Sequence, residues 1–336
     1  LPYPANIEIK DACEEAELSD FVSENLGKVV FGENYKLREH QSQALVTSFK
    51  SNFQNQNNFI VTSGTGSGKT ETFLLPIIAR LLADKERGIK KEVPHKWWME
   101  GWDSQEKWAG LRKLSHHKSE QAVRTLILYP TNALVEDQIT RLRQCAFRAS
   151  ELFEEPLFYF GRYTGATAGG KFYPPSRLKA KERKKIKKLA DELRKIDNEA
   201  EALQHKDLEI RGQFSDPNCG EMLTRWDMIE SPPDILISNI SMLNIMLMRD
   251  HEDPIFEKTK EWLKASSENK FSIVVDELHS YRGTQGSEVA LVIRNLLQRL
   301  DLKPGSKQLR CIATSASIDG DAGQEYVEQF FGIDRN

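Results

Sequence analysis

The sequence predicts an α/β fold with a parallel sheet covered by helices on both faces, on three observations. Six short, apolar, β-rich runs alternate with helical patterns: "FIVT" at 59–62, "TLILY" at 125–129, "LFYF" at 157–160, "DILI" at 234–237, "FSIVVD" at 271–276 and "LRCIAT" at 309–314. A glycine-rich stretch, "SGTGSGKTE" at 63–71, joins the first run to a helical pattern. Two adjacent acids, Asp276 and Glu277, stand where the fifth run ends. Near-continuous apolar strands are buried on both faces, which requires helix layers above and below. Crossovers in such a sheet are right-handed, and ligands bind beyond the carboxyl ends of its strands.

Composition sets the bounds. A chain of 336 residues with 39% hydrophobic residues can bury a large core. It has no run of 18 apolar residues to span a bilayer, and its start, "LPYPANIEIKDACEE", lacks the basic and apolar regions of an export signal. Cys13, Cys145, Cys219 and Cys311 lie far apart, so no Cys-x-x-Cys pair marks a metal or redox centre, and a reducing cytoplasm is expected with no membrane partner. With a net charge of -3 and a pI near 6.2, nucleic acid could bind only through local basic or backbone-amide surfaces. The start at Leu1 rather than Met predicts a piece of something longer.

Residues 1–35 read as an N-terminal extension, and two segments read as insertions. The first, about 88–124, holds "HKWWMEGWDSQEKW" and then "SHHK" without clean periodicity. A Trp-packed subdomain is its leading reading and a base-stacking platform its sharper one. A further expectation is that Trp97 and Trp98 seat a partner, so that their loss weakens assembly without unfolding the core. The second insertion, about 166–230, carries "SRLKAKERKKIKKLADELRKIDNEAEALQHKDLEIRG". Leu178, Ile186, Leu189, Leu193 and Ile196 recur at helical spacing, which predicts a long, mostly exposed helix. Its basic first half is either a solvated face or a phosphate-backbone contact.

The glycine-rich stretch has the pattern of a phosphate cradle. Gly64, Gly66, Ser67 and Gly68 allow a tight turn whose N–H groups point at phosphates, and the following helix adds its positive dipole end. Lys69 would neutralise phosphate charge, and Thr70 would offer a hydroxyl to Mg²⁺. Ser63 stands where the common pattern has Gly or Ala; small size is the requirement there. Asp276 would hold Mg²⁺, and Glu277 would orient and deprotonate an attacking water. His279 alone reads as an ordinary histidine.

"DELH" at 276–279, with the loop at 63–71, resembles the DExH branch of the superfamily 2 DEAD/DEAH helicases, whose first RecA-like domain carries an ordered motif set. "LREHQSQAL" at 37–45 resembles the element before the phosphate loop, implying Gln41 as the adenine contact. "YPTNAL" at 129–134, "YTG" at 163–165 and "SNISML" at 238–243 resemble the motifs that grip nucleic acid, implying Pro130, Thr131, Asn132, Thr164, Gly165, Ser238 and Asn239. Thr, Asn and Ser groups at strand ends can bind phosphate oxygens without reading bases. "TSAS" at 314–317 resembles the motif that couples nucleotide state to grip, implying His279, Ser315 and Ser317, with Ser317 where Thr is commoner. The resemblance spans about 30–320.

"YRGTQGSEVALVIRNL" at 281–296 and "PPDILISNISMLNIMLMR" at 232–249 resemble the bacterial branch of MrfA-like and anti-phage defence helicases of the Druantia and DISARM type. That resemblance implies ATP and Mg²⁺ as cofactors and DNA, single-stranded or duplex, ahead of RNA as partner, with 3′ to 5′ tracking usual. It also implies further domains, including a second RecA-like domain, and a defence-system partner subunit. Without that second domain and its arginine finger, the chain by itself is expected to bind ATP weakly and turn it over slowly. A non-catalytic docking module is the rival reading, opposed by the intact Lys69, Thr70, Asp276 and Glu277. No GTPase base-reading motif or ABC-type signature appears.

Overall fold

The structure is a computed structural model that describes residues 4–32, 35–50, 58–64, 67–99, 102, 108–112, 121–170, 180–281, 283–318 and 320–333. Strands β1 (Ala5–Glu8) and β2 (Lys36–Arg38) form a small antiparallel pair. The main sheet contains β3 (Phe59–Thr62), β4 (Thr125–Tyr129), β5 (Phe160–Tyr163), β6 (Glu221–Met222), β7 (Ile235–Asn239), β8 (Phe271–Val275) and β9 (Leu309–Ser315). Its order is β3-β9-β8-β4-β7-β5-β6, and every pairing is parallel. Alternate side chains enter two cores. Leu126, Leu128, Ile273 and Val275 face one, while Ile127, Tyr129 and Val274 face the other.

Two differences from the sequence reading have simple causes. β5 starts where "LFYF" ends and continues through Gly161 and Arg162, residues without strand preference. Pairing with β7 on one side and β6 on the other overrides that local signal. β6 lies inside the segment read as an insertion, and two residues are too few to show any period. The N-terminal helices Ile9–Glu15 and Asp20–Val30 pack into the same core as the helix Lys69–Glu86 that follows the glycine-rich loop.

The Trp-rich segment is core. Trp97 and Trp98 are each 1% exposed, and Trp97 meets Trp98, Trp108 and Trp226 edge-on with ring centroids 5.5–6.2 Å apart. Its indole N–H donates to Asp227 (3.0 Å), which also accepts from the Leu111 N–H (2.8 Å) and the Thr224 hydroxyl (2.7 Å). Burial pushes the Asp227 carboxyl up to about 6 against these donors. Rings packed this way present no face to a base, so the stacking platform is overturned, and the loss of Trp97 and Trp98 would open the core instead of sparing it. The second insertion forms the helix Ala180–Ala202, with Ile186, Ala190 and Leu193 buried; Leu178 and "SHHK" lie outside the described residues. Lys96 bonds Asp197 of this helix at 2.8 Å, so the two inserted segments pack together.

At the amino ends of β4 and β7, a buried ion cluster ties the first insertion to the sheet. Asp234 accepts from Lys91 (2.8 Å), Arg124 (2.7 Å) and the Tyr159 N–H (2.8 Å), while Arg124 also reaches Asp84 (3.2 Å) and Arg112 reaches Glu92 (2.9 Å). Burial alone would raise the Asp234 carboxyl, but Lys91, Arg112 and Arg124 hold it well below the usual range. Burial, then Arg124, push the Lys91 ammonium down to about 8.

Asp234→Asn, which strands buried cations, is expected to cost about 3–5 kcal/mol. Trp97→Ala, which opens a cavity beside three other indoles, is expected to cost a similar ~3–5 kcal/mol. Denaturant unfolding measures both, and a loss under about 1 kcal/mol for either would contradict this account of the core.

Candidate nucleotide and nucleic-acid site

The glycine-rich loop is closed by its own serines. The Ser63 hydroxyl lies 2.6 Å from that of Ser67, and the Ser63 N–H donates to the Ser315 carbonyl (3.2 Å). Ser63 at the loop's first position thus supplies a hydroxyl bond that Gly or Ala could not. Gly68 sits at φ +82, and an added Cβ would approach the Gln41 amide nitrogen to 2.5 Å, so glycine is required there on both counts. Lys69 and Thr70 open the helix Lys69–Glu86, whose N-terminus points positive dipole at the loop. Gly64 is exposed; Gly66 lies outside the described residues.

Three strand ends converge here. Pairing of Val275 with Ala313 sets Thr314 beside Asp276. The Thr314 hydroxyl donates to Asp276 Oδ1 and accepts from the Glu277 N–H (3.3 Å). Burial raises the Asp276 carboxyl above its ordinary value, with the Thr314 bond opposing. The Glu277 carboxylate lies 3.4 Å from Lys69 Nζ and 3.2 Å from His279 Nδ1. Glu277 itself adopts φ 53 and ψ 47, left-handed backbone that a non-glycine residue pays for. His279 Nδ1 also lies 3.4 Å from the Ala316 N–H. One ring nitrogen cannot both donate to the carboxylate and accept from the amide, so the tautomer decides which link forms.

Two residues of this cluster escaped the sequence reading. Thr314 was passed over one position before the serines, although β8–β9 register alone places it. His40 contacts the Ser67 carbonyl at 3.0 Å from its Nε2; no sequence pattern marked it. Gln41 lies at the loop but is 1% exposed, its Oε1 accepting from the Arg38 N–H (3.0 Å) and its Nε2 donating to the Gly68 carbonyl (3.2 Å). An adenine contact by Gln41 requires exchanging one of these bonds. Ser315 is buried and accepts from the Ser317 N–H (3.3 Å), while Ser317 is exposed.

Beside this cluster, the ends of β4, β7 and β5 form a ledge. Register sets Tyr129 beside Asn239 and Ser238 beside Tyr163. Asn239 caps the helix Ile240–Leu247 through the Met242 N–H (2.7 Å) and donates to Asn132 (2.6 Å). Thr131, Asn132 and Gly165 are exposed, with Pro130 and Asn239 half-buried. Thr164 and Ser238 differ from expectation. Both are buried; the Ser238 hydroxyl donates to the Tyr163 carbonyl (2.7 Å), and the Thr164 hydroxyl accepts from the Ala166 N–H (3.3 Å). Their side chains shape the ledge from beneath, because such short hydroxyl side chains bond nearby backbone, the neighbouring strand for Ser238 and its own turn for Thr164.

The donors suit a hard cation. Thr70 and Asp276 offer a hydroxyl and a carboxylate beside the phosphate cradle, and among the described residues no group of three or more His, Cys, Asp or Glu side chains could hold a metal alone. One or two protein oxygens completed by phosphates and water is the Mg²⁺ pattern.

Residues 38–159 match the DEAD/DEAH box helicase family. Over 363 residues the chain is 33% identical to Druantia protein DruE of Escherichia coli (strain UMEA 4076-1), covering 94% of this chain and 18% of DruE. It is 21% identical to the uncharacterized ATP-dependent helicase MJ1574 of Methanocaldococcus jannaschii, covering 94% of this chain and 30% of that protein. The chain therefore spans less than a third of either relative. Among solved structures it resembles DUF1998 helicase MrfA bound to DNA and AMPPNP (TM-score 0.50, 20% identity, 98% of this chain and 29% of that one). It also resembles DEAD-box helicase Mss116 bound to ssRNA and UDP-BeF (TM-score 0.50, 14% identity, 97% and 44%). The parallel sheet thus has the RecA-like fold of these structures, residues 38–159 carry the DEAD/DEAH box helicase match, and the chain is related in sequence to DruE.

Proposed function

We propose that this domain is the ATP-binding motor of a DExH-type DNA helicase or translocase that couples hydrolysis to movement on nucleic acid. The carrying observation is the convergence of Lys69, Asp276, Glu277 and Thr314 at three adjacent strand ends. In this reading Lys69 leaves the Glu277 carboxylate for the β- and γ-phosphates when nucleotide binds. Glu277 is thereby released to take a proton from the attacking water. Thr314 holds the two acids in register throughout. Thr70 and Asp276 would hold Mg²⁺, which supplies charge neutralisation at the phosphates. Gln41 would read the adenine.

His279 would transmit nucleotide state, because its Nδ1 faces Glu277 and the Ala316 amide beside Ser315 and Ser317. Thr131, Asn132, Gly165 and Asn239 would grip backbone phosphates along the ledge. DNA, single-stranded or duplex, is the proposed track, supported by the DNA-bound MrfA structure. A setting in anti-phage defence is supported by the likeness to DruE, and one in DNA repair is the alternative.

The test is MgATP hydrolysis by the longer parent protein, which would supply the second RecA-like domain, with single-stranded DNA, duplex DNA or RNA, run beside its Glu277→Gln variant and this chain alone. DNA is expected to stimulate turnover, and the variant to bind nucleotide while losing about 10²–10⁴-fold in rate. Normal ATP binding without turnover on any nucleic acid would sink the motor reading in favour of a docking module. The backbone at Glu277 gives a separate check. Glu277→Gly relieves the left-handed strain, so it is expected to be more stable than Glu277→Ala by about 0.5–1 kcal/mol, and the reverse order in thermal unfolding would refute the strain.

A further inference from the structure

The first two turns of the helix Ala180–Ala202 concentrate positive charge. Lys181, Arg183, Lys184, Lys185, Lys187 and Lys188 stand against Glu182 alone, a local charge of +5 over 180–188 in a chain of net charge -3, which leaves -8 for the rest. All six cations are exposed. Ile186 and Ala190 anchor the opposite side of the helix in the core, so at 100° per residue Lys181, Lys184 and Lys188 project away from the body. Lys188 pairs with Glu192 at 3.5 Å, both side chains exposed, and such a pair contributes little.

The fold also fixes which end of the helix lies where. β5 ends at Tyr163, and the chain then follows the Thr164–Thr167 turn, with Gly170 held by the Trp226 indole (2.7 Å) before the helix begins at Ala180. Seventeen residues further on, Asp197 accepts from Asn218 (3.2 Å), in the turn Pro217–Cys219 just ahead of β6. β6 runs parallel to β5, so Asp197 marks the amino-end side of the sheet. The Asp197 turn of the helix is thus held at the amino-end side, and its basic turns are the half nearer along the chain to the Thr164–Gly165 turn. β5, which carries Gly165, is also the ledge strand nearest this flank in the order β4-β7-β5-β6.

We propose that Lys181, Lys184, Lys185 and Lys188 form an electrostatic extension of the ledge that binds the phosphate backbone of nucleic acid beyond the Thr164–Gly165 loop. This rests on the motor reading above. Lysines on successive turns suit a phosphate track because they contact charge without reading sequence. A slightly acidic protein obtains backbone affinity by concentrating cations in one place instead of raising its net charge.

The test compares two quadruple variants of the protein. One carries Lys181→Gln, Lys184→Gln, Lys185→Gln and Lys188→Gln. The control removes equal charge elsewhere on the exposed surface, with Lys10→Gln, Lys28→Gln, Lys303→Gln and Lys307→Gln. Glutamine keeps helix propensity close to that of lysine, so both should fold, as circular dichroism would verify. Duplex DNA binding is measured by fluorescence anisotropy across a salt series. The helix variant is expected to lose about 0.9 in the slope of log K against log[salt] per phosphate contact removed, about 3.6 for the four, and at least ~10-fold in affinity at low salt. ATP binding and the control's slope should stay unchanged. An unaltered slope in the helix variant, or equal losses in both variants, would overturn the proposal. Failure of the unaltered protein to bind any nucleic acid would overturn the motor reading instead.

Discussion

The Thr314 hydroxyl, held between the Asp276 carboxylate and the Glu277 amide, is the contact on which the nucleotide half of this domain depends. It exists because β8 and β9 pair in one register, and a shift by one residue would turn Thr314 to the other face and leave both acids without it. A buried carboxylate deprived of its donor carries the full desolvation cost of an unsatisfied group. On the other edge of β9, its pairing with β3 brings the Ser315 carbonyl to the Ser63 N–H at the base of the phosphate loop. One strand, β9, paired on both edges, thus positions the acids, the loop and Ser315 together.

Strand order extends that logic across the sheet. β3, β9 and β8 carry the nucleotide residues, while β4, β7 and β5 carry the ledge, and the seam between them is the β8–β4 pairing. Across it the Asp276 N–H donates to the Leu128 carbonyl (3.0 Å), two residues before Pro130 and Thr131. In the proposed motor, this shared backbone is where a movement of the Glu277 turn would reach the ledge. His279, with one nitrogen facing both Glu277 and Ala316, is a second route with two discrete arrangements, which coupling requires.

The sheet was legible in the sequence because parallel strands are apolar throughout: β3 and β4 match the runs at 59–62 and 125–129 residue for residue. The loop, the acids and the motif order were legible for a related reason, since their residue types are demanded by phosphate and water chemistry at fixed strand ends. What stayed hidden depends on tertiary pairing. Whether Ser238 faces a ligand or the Tyr163 carbonyl is decided by strand register, which a single strand does not encode, and whether Thr164 faces a ligand is decided by the turn that follows it. The tryptophans are equally ambiguous: a cluster of indoles reads the same whether it stacks on bases or on Asp227 and Trp226, and only the partner strand and helix distinguish the two.

The two ends of the sheet are built on opposite principles, and the contrast explains the insertions. At the carboxyl ends, Glu277 holds left-handed backbone, Lys69 is paired only loosely at 3.4 Å, and exposed Asn and Thr side chains line the ledge. Such groups are arranged to exchange partners, and they contribute little to holding the fold. At the amino ends, Lys91, Arg112 and Arg124 meet Asp234, Glu92 and Asp84 out of solvent, beside the Trp97 layer. Each ion there has its partner, so opening the cluster strands charge in the core. Lys91, Glu92, Arg112 and the Trp97 layer all come from the first insertion. That segment thus closes the end of the sheet opposite the strained Glu277 turn.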